Sequence, residues 1–463
     1  MERQGMVGAT AGEIVAAVRK GEISPLEVVE GHLAWIAAVD GRLNAFRVVR
    51  ADEVREEARA LARRGDLAEL PLAGVPVAVK DNVDLAGCVT ANGSAATSRE
   101  PAAADSGLVA RLRAAGAMLI GKTSVPELCL WPWTESAVFG ATRNPWNPEH
   151  TPGGSTGGGG AAVAAGMAPL ALGADGGGSI RIPSSCCGLF GLKPGDGVVP
   201  RPPELGSNWL GMSSFGPLAT TVADATLLLD VLAGGDGYRR PAPEPGRRLR
   251  IGMTAKPPAV GVPLHPEVRA ALEEAAAALR EAGHTVVAAT PPWRQRDALP
   301  FLARYFAGVA EDAAGLPEDT LEPRTRAAAR RGRLLGRVRP VPDAVPPTVL
   351  ARYQRWFRDY DLLLSPTLAT PPPRIGAFQG KGLDATLLGA TRFIPFTPPL
   401  NLVRFPAASV PAGRSSEGLP IGVQLAAAPG GEALILAVAA ELERLRPWPR
   451  HEPLEGLPTT SST

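Results

Sequence analysis

The chain has 463 residues, 45% of them hydrophobic and 20% charged, which excludes a disordered polymer and leaves ample material for a large core. A formal net charge of +2 gives no field suited to nucleic acid or to an acidic membrane surface. The 4 cysteines show no C-x-x-C, the 5 histidines no metal-ligand spacing, and the N-terminus no apolar signal core, so the expectation is a cytoplasmic protein with reduced thiols and no metal.

Thr10 with Glu13 reads as a capping box, and Ser24, Pro25 and Glu27 as a second with proline at the first helical position, so two helices open the chain. A third helix covers 51–64 and stops at Gly65. "LAGVPVAVKDNVDLAG" reads as a strand entering a loop, "DSGLVARLRAAG" as a helix capped by Asp105, and "AMLIG" as the strand after it. The Gly/Ala-rich run 160–175 is interrupted by Pro169 and makes a poor membrane span. Residues 221–234 form a helix, "RLRIGMT" a strand, 265–283 a helix, "HTVVAAT" a strand, and "YDLLLSPT" (360–367) a buried strand. The stretch from about 290 to 350, rich in Pro, Arg and Ala, reads as a peripheral helical insertion. Its basic run 324–339 reads as a solvated helix rather than a nucleic-acid patch. Strands alternating with helices predict an α/β layered fold.

Two motifs mislead. "GAMLIGKT" (116–123) matches the phosphate-loop pattern by letter, but that loop needs a strand before it and a helix after. Here a helix precedes, the middle residues are themselves a strand, and Pro126 follows. "GGSTG" (153–157) matches a nucleophile elbow, but an elbow follows a buried strand, and "PWNPEHTP" cannot be one. None of His265, His284 and His451 is placed to serve it.

The remaining chemistry lies in two Gly/Ser segments, "TPGGSTGGGGAAVAAG" (151–166) and "GADGGGSIRIP" (173–183). Glycines let a substrate approach the main chain, and consecutive N–H groups can cradle an anion. Ser179 follows Gly176, Gly177 and Gly178, the layout of a nucleophile beside its own oxyanion hole. A base is then needed, and Lys80 at the end of the apolar "VPVAVK" is the candidate, since burial lowers a lysine pKa and a neutral amine accepts protons. Asp81 next door would raise that pKa if it faced Lys80.

With these pieces in view, the chain resembles the amidase signature family, serine hydrolases with a Ser–cis-Ser–Lys triad. The matching segments are "GVPVAVKDN", "FGATRNPWNPEHTPGGSTGGGGAAVAAG", "LGADGGGSIRIPSSCCGLFGLKP", "GPLATTVADATLLLDVLAG", "YDLLLSPTLATPPP" and "GLPIGVQLAA". The resemblance implies an α/β fold, a three-layer α/β/α sandwich around one large, twisted, mixed sheet. It implies a single domain over 1–463 with the signature core at 65–235, and no cofactor. It makes Lys80 the base, Ser155 the bridging serine at a cis peptide, and Ser179 the nucleophile, with oxyanion donors from Gly176, Gly177, Gly178 and Ser179. Cys129 falls in a segment that lines the substrate pocket of relatives, and it is expected to bind substrate together with Thr156, which stands where the family usually has serine. Ala174, Gly176, Gly195 to Val198 and Thr220 also depart from the family pattern, and Asp175 with Arg181 reads as a structural ion pair bracing the loop.

The implied activity is hydrolysis of amide bonds through an acyl-enzyme, extending to esters and carbamates in the manner of an aryl acylamidase or urethanase. An A-type subunit of a tRNA-dependent glutamyl amidotransferase is the first alternative, although such chains usually carry Gln where this one has Ile182. A catalytically silent ligand-binding module on the same fold is the second. The segments 128–133, 206–215 and 392–402 supply apolar pocket material without a charged residue placed for an ionic substrate. The expected substrate is therefore a small, neutral, fairly apolar amide, ester or carbamate. The expected partners include no nucleic acid and no membrane, and the chain is expected as a monomer or homodimer.

Overall fold

The computed structural model describes residues 4–203, 206, 207, 209–235, 237, 238, 247–338 and 340–451. Its strands, in chain order, begin with β1 (Phe46–Val49), β2 (Pro76–Lys80) and β3 (Met118–Thr123), then a small separate hairpin of β4 (Glu135–Ser136) and β5 (Gly140–Ala141). There follow β6 (Leu170–Asp175), β7 (Phe190–Lys193), β8 (Ser214–Ala219), β9 (Arg250–Met253) and β10 (Thr285–Ala288). β11 (Leu362–Pro366), β12 (Ala407–Arg414) and β13 (Pro420–Ala426) complete the set.

Eleven of these strands make one mixed sheet in the order β1-β3-β2-β6-β8-β7-β12-β13-β11-β9-β10. β2 runs parallel to both β3 and β6, and β9 runs parallel to β10 and β11. The middle of the sheet from β6 through β8, β7, β12 and β13 to β11 is antiparallel. Every residue of β2, β3 and β6 is buried. That explains why the segments "VPVAV" and "AMLIG" are apolar throughout, since helices cover both faces. The result is the expected α/β/α sandwich.

Both N-terminal capping boxes form, over the helices Ala11–Arg19 and Pro25–Leu43. The fourth helix corrects the sequence reading. Its N-cap is Ser106, not Asp105, and it spans Gly107–Ala114. Asp105 instead accepts from Arg113 Nε at 2.5 Å and from the Ala86 N–H at 2.8 Å, partners that no local pattern reveals.

"GAMLIGKT" supplies strand β3, so its lysine points into the sheet rather than into a phosphate loop. Lys122 Nζ lies 2.9 Å from Asp81 Oδ1, both side chains fully buried. The basic run becomes the helix Pro323–Val338, with Thr325, Ala328, Ala329 and Gly332 buried against the helix Ala298–Asp312. It is thus solvated on one face only. Outward, Arg331 meets Asp384 at 2.6 Å and Arg330 meets Glu318 at 2.7 Å, while Arg324 lies 5.3 Å over the Trp131 ring. No helix among the described residues is long and apolar enough to cross a membrane.

Candidate active site

The parallel strands β2 and β6 are neighbours and end side by side, at Lys80 and Asp175. Ligands of α/β sheets collect beyond such carboxyl ends. Lys80 is 1% exposed. Its Nζ lies 2.8 Å from Ser155 Oγ and 3.0 Å from the Ala174 carbonyl. Burial pushes the Lys80 ammonium below its ordinary range, opposed in part by Cys129 and Asp175. Asp81 does not contribute as the sequence allowed, because its carboxylate is turned toward Lys122.

Ser155 follows the cis peptide Gly154-Ser155. The segment is joined to the second Gly/Ser loop by a main-chain bond from the Thr156 N–H to the Ser179 carbonyl, 3.2 Å long. Thr156 is not placed to bind substrate as expected: it is fully buried and lines neither cavity at this site, with its hydroxyl directed at the Ala174 carbonyl at 3.4 Å.

The loop carrying Ser179 is fixed from within. The Asp175 carboxylate accepts from the N–H groups of Gly178 (2.7 Å), Ile180 (3.2 Å) and Arg181 (3.4 Å). It also takes both Nε and Nη2 of Arg181, at 2.9 and 3.0 Å. Burial alone would raise the Asp175 carboxyl, but the Arg181 charge and its hydrogen bonds hold it well below the usual carboxylate range. The ion pair read from the sequence is therefore present and fully buried. Its outer partners were not foreseen: Arg181 also reaches Gln424 at 2.7 Å and Asn401 at 2.6 Å, and Thr397 Oγ1 donates to the Gly177 carbonyl at 2.7 Å.

One expected oxyanion donor is corrected here. The Gly178 N–H is committed to Asp175, so it does not face a substrate; Gly176, Gly177 and Ser179 remain as candidates. Gly178 is required for another reason. Its φ is +128°, and a Cβ there would stand 2.4 Å from Thr397 Oγ1. Gly176, one of the departures from the family pattern, also makes room: a Cβ would meet Ser213 Oγ at 2.4 Å and the Trp209 ring at 2.9 Å.

Within the otherwise buried run 173–183, Gly177 and Ser179 are the half-exposed positions. Two cavities meet at Ser179 and share Trp209 as a wall. The first is an apolar funnel of about 1160 Å³ including its open mouth, lined by Leu130, Trp131, Trp293, Phe301, Tyr305 and Ile394 among others. The second is polar, about 540 Å³, and contains Lys80, Ser155, Cys129, Asn82, Asn92 and Asp312. Cys129 Sγ lies 3.3 Å from Asn92 Oδ1, and burial pushes its thiol up. No histidine among the described residues lines either cavity. His284 instead meets Glu441 at 2.7 Å, and His265 caps its helix.

A family model described as Amidase matches residues 27–436. The chain belongs to the amidase signature family. As a member it is a hydrolase of carbon–nitrogen amide bonds. This amidase is 46% identical over 443 residues to the AmiB2 protein of Mycobacterium tuberculosis, covering 94% of this chain and 95% of that one. It is 34% identical over 482 residues to the acylamidase of Rhodococcus erythropolis, with 99% of each chain covered. Among solved structures, 6-aminohexanoate cyclic dimer hydrolase complexed with substrate superimposes with a TM-score of 0.85 at 34% identity, covering 96% of this chain and 98% of that one.

All three segments expected to wall the amidase pocket contribute to it, through Leu130 and Trp131, through Trp209 and Ser213, and through Ile394 and Leu402. Asn208, within the second segment, lies outside the described residues. Sequence reasoning missed the far wall, Phe301, Leu302 and Tyr305 on the helix Ala298–Asp312. It also missed Asp312, a charged residue in the polar cavity. A helix with apolar positions at 301, 302 and 305 was the available signal, but nothing local tells a pocket face from a core face.

Proposed function

We propose that this amidase hydrolyses amides with an apolar acyl group by a Ser179–Ser155–Lys80 relay, and acts on esters and carbamates of the same acyl groups. The observation that carries the reading is the position of Ser179 at the junction of the apolar funnel and the cavity holding the 2.8 Å Lys80–Ser155 contact. Ser179 Oγ adds to the substrate carbonyl carbon. Its proton passes to Ser155 Oγ while the Ser155 proton passes to neutral Lys80. The carbonyl electron pair moves onto oxygen, where N–H groups of Gly176, Gly177 and Ser179 receive it. Preorganised donors of this kind are each worth about 10²–10³ in rate.

On collapse the C–N bond breaks. The leaving nitrogen takes a proton from Ser155, which regains one from Lys80, and an acyl ester remains on Ser179. Water then adds to that ester through the same relay, the acid departs and Ser179 recovers its proton. The acyl group lies in the funnel, whose aromatic and aliphatic lining gains from burying apolar surface.

A fluorophosphonate probe followed by peptide mapping, with chromogenic anilides, esters and carbamates of graded acyl size, tests the reading. Modification confined to Ser179, absent in Ser179→Ala, together with turnover that rises with apolar acyl size, is the expected result. An active Ser179→Ala enzyme overturns it.

A further inference from the structure

The polar cavity beside Ser179 carries a carboxylate as well as the Lys80–Ser155 pair. Asp312, the last residue of the helix Ala298–Asp312, brings a carboxylate to its wall. Oδ2 accepts from the Trp209 indole N–H at 2.8 Å, and no cation pairs with this carboxylate among the described residues. On the same wall Asn82 Oδ1 is buried without a hydrogen-bond partner. Asn92 Oδ1 meets a weak thiol donor, Cys129 Sγ. Lys80, the cation of this wall, is turned to Ser155 and Ala174. A carboxylate open to the cleft is matched best by a cation, which makes a charge-assisted hydrogen bond with it.

The relay fixes which half of the substrate lies here. Its proton must end on the leaving nitrogen, so that nitrogen stands on the Ser155 face. Ser155 lines the polar cavity and not the funnel. The departing amine therefore shares its space with Asp312, Asn82 and the Trp209 ring.

We propose that the polar cavity selects amides whose amine half carries a second, protonated amino group, with Asp312 pairing that ammonium and Asn82 Oδ1 accepting an N–H of the same ligand. This rests on the Ser179–Ser155–Lys80 reading and adds the amine-side substrate class to it. Asp312 and Asn82 are specificity residues, and Trp209 positions the carboxylate through its indole N–H while offering its ring to the cation.

Three amides with one acyl group test it: N-phenylacetyl-1,4-diaminobutane, the neutral N-phenylacetylbutylamine, and the anionic N-phenylacetyl-4-aminobutanoate. The expected wild-type kcat/KM for the cation exceeds that for the neutral amide by about 10- to 100-fold, the worth of a charge-assisted hydrogen bond, and the anion falls below both. Asp312→Asn brings the ratio of cation to neutral amide to within about threefold of unity. Should that variant not fold, inhibition of wild-type hydrolysis of the neutral amide decides, with butylammonium expected to inhibit at about tenfold lower concentration than 1-butanol. A wild-type enzyme without preference for the cation, or a preference unchanged by Asp312→Asn, overturns the inference. If the neutral amide is turned over and Ser179→Ala abolishes that turnover while the cation has no advantage, the amine-side assignment alone falls. If Ser179→Ala hydrolyses all three, the relay falls and the assignment with it.

Discussion

Replacing Lys80 with methionine separates what the lysine does for the chemistry from what it costs the fold. Its Nζ is buried, with Ser155 Oγ at 2.8 Å and the Ala174 carbonyl at 3.0 Å as neighbours. Burial lowers its pKa, so the native protein holds this proton less tightly than the unfolded chain does. An unfolded lysine titrates near ~10.4. Above that pH both states are neutral and the group contributes nothing. As pH falls below it, the unfolded chain protonates first, and native stability is lost at about 1.36 kcal/mol per unit until the native pKa is passed. At pH 7 the penalty therefore has a ceiling of roughly 4.6 kcal/mol. Methionine abolishes this penalty but leaves Ser155 and Ala174 each short of a partner, a loss of about 1–3 kcal/mol.

The stability of Lys80→Met relative to wild type should thus be highest near pH 7. It should decline toward pH 10, by no more than that ceiling, read by urea unfolding at each pH. The kcat/KM of the same variant should fall by at least about 10²–10⁴. Wild-type kcat/KM should rise with pH as Lys80 loses its proton, and Lys80→Arg should stay inactive because guanidinium remains protonated. A stability difference flat from pH 7 to 10, or a wild-type rate that falls over that range in folded protein, refutes the argument.

Ser155→Ala should lose more activity on amides than on esters of the same acid, since an ester leaving group relies less on proton delivery; equal losses on both count against Ser155 as the relay. Gly178→Ala forces a side chain onto a φ of +128° with Thr397 Oγ1 at 2.4 Å and Ile182 Cδ1 at 2.7 Å, and should lower unfolding stability by about 2–5 kcal/mol. A loss below about 1 kcal/mol in urea unfolding would contradict that packing. Asp175→Asn leaves the Arg181 guanidinium buried without its counter-charge and should cost about 3–5 kcal/mol. Because the Asp175 carboxyl is held below the usual range, its contribution is complete at neutral pH and is lost only as pH drops through the lowered native pKa. A thermal transition unchanged at pH 7 in Asp175→Asn would refute this reading.

What could be read from the sequence divides along the range of the interactions. The capping boxes at Thr10 and Ser24 close within three residues, and both stand in the structure. The displacement of the fourth N-cap from Asp105 to Ser106 shows the limit, since Arg113 and the Ala86 N–H outbid the local cap. Lys80 ends β2 and Asp81 opens the turn after it, so the two neighbours part ways, one turning to Ser155 and the other to Lys122. The glycines at 176 and 178 announced close approach without naming what approaches; Ser213, Trp209 and Thr397 do. Asp312 enters the cleft on a helix whose pairing with Trp209 spans 103 residues, and no periodicity carries that information.

The brace around the Ser179 loop bears on how this enzyme comes into being. Arg181 closes on Asn401 and Gln424, partners 220 and 243 residues further along the chain. Chains are made from the N-terminus, and early segments fold while later ones are still being synthesised. Strands β2 and β6 can pair long before those partners exist, but the guanidinium that organises the loop stays half-satisfied until β13 is laid beside its neighbours. Hydrolytic competence is consequently a property of the finished chain. A ribosome-stalled or C-terminally clipped product lacking residues beyond 400 would carry Lys80, Ser155 and Ser179 and still lack the scaffold that aims them.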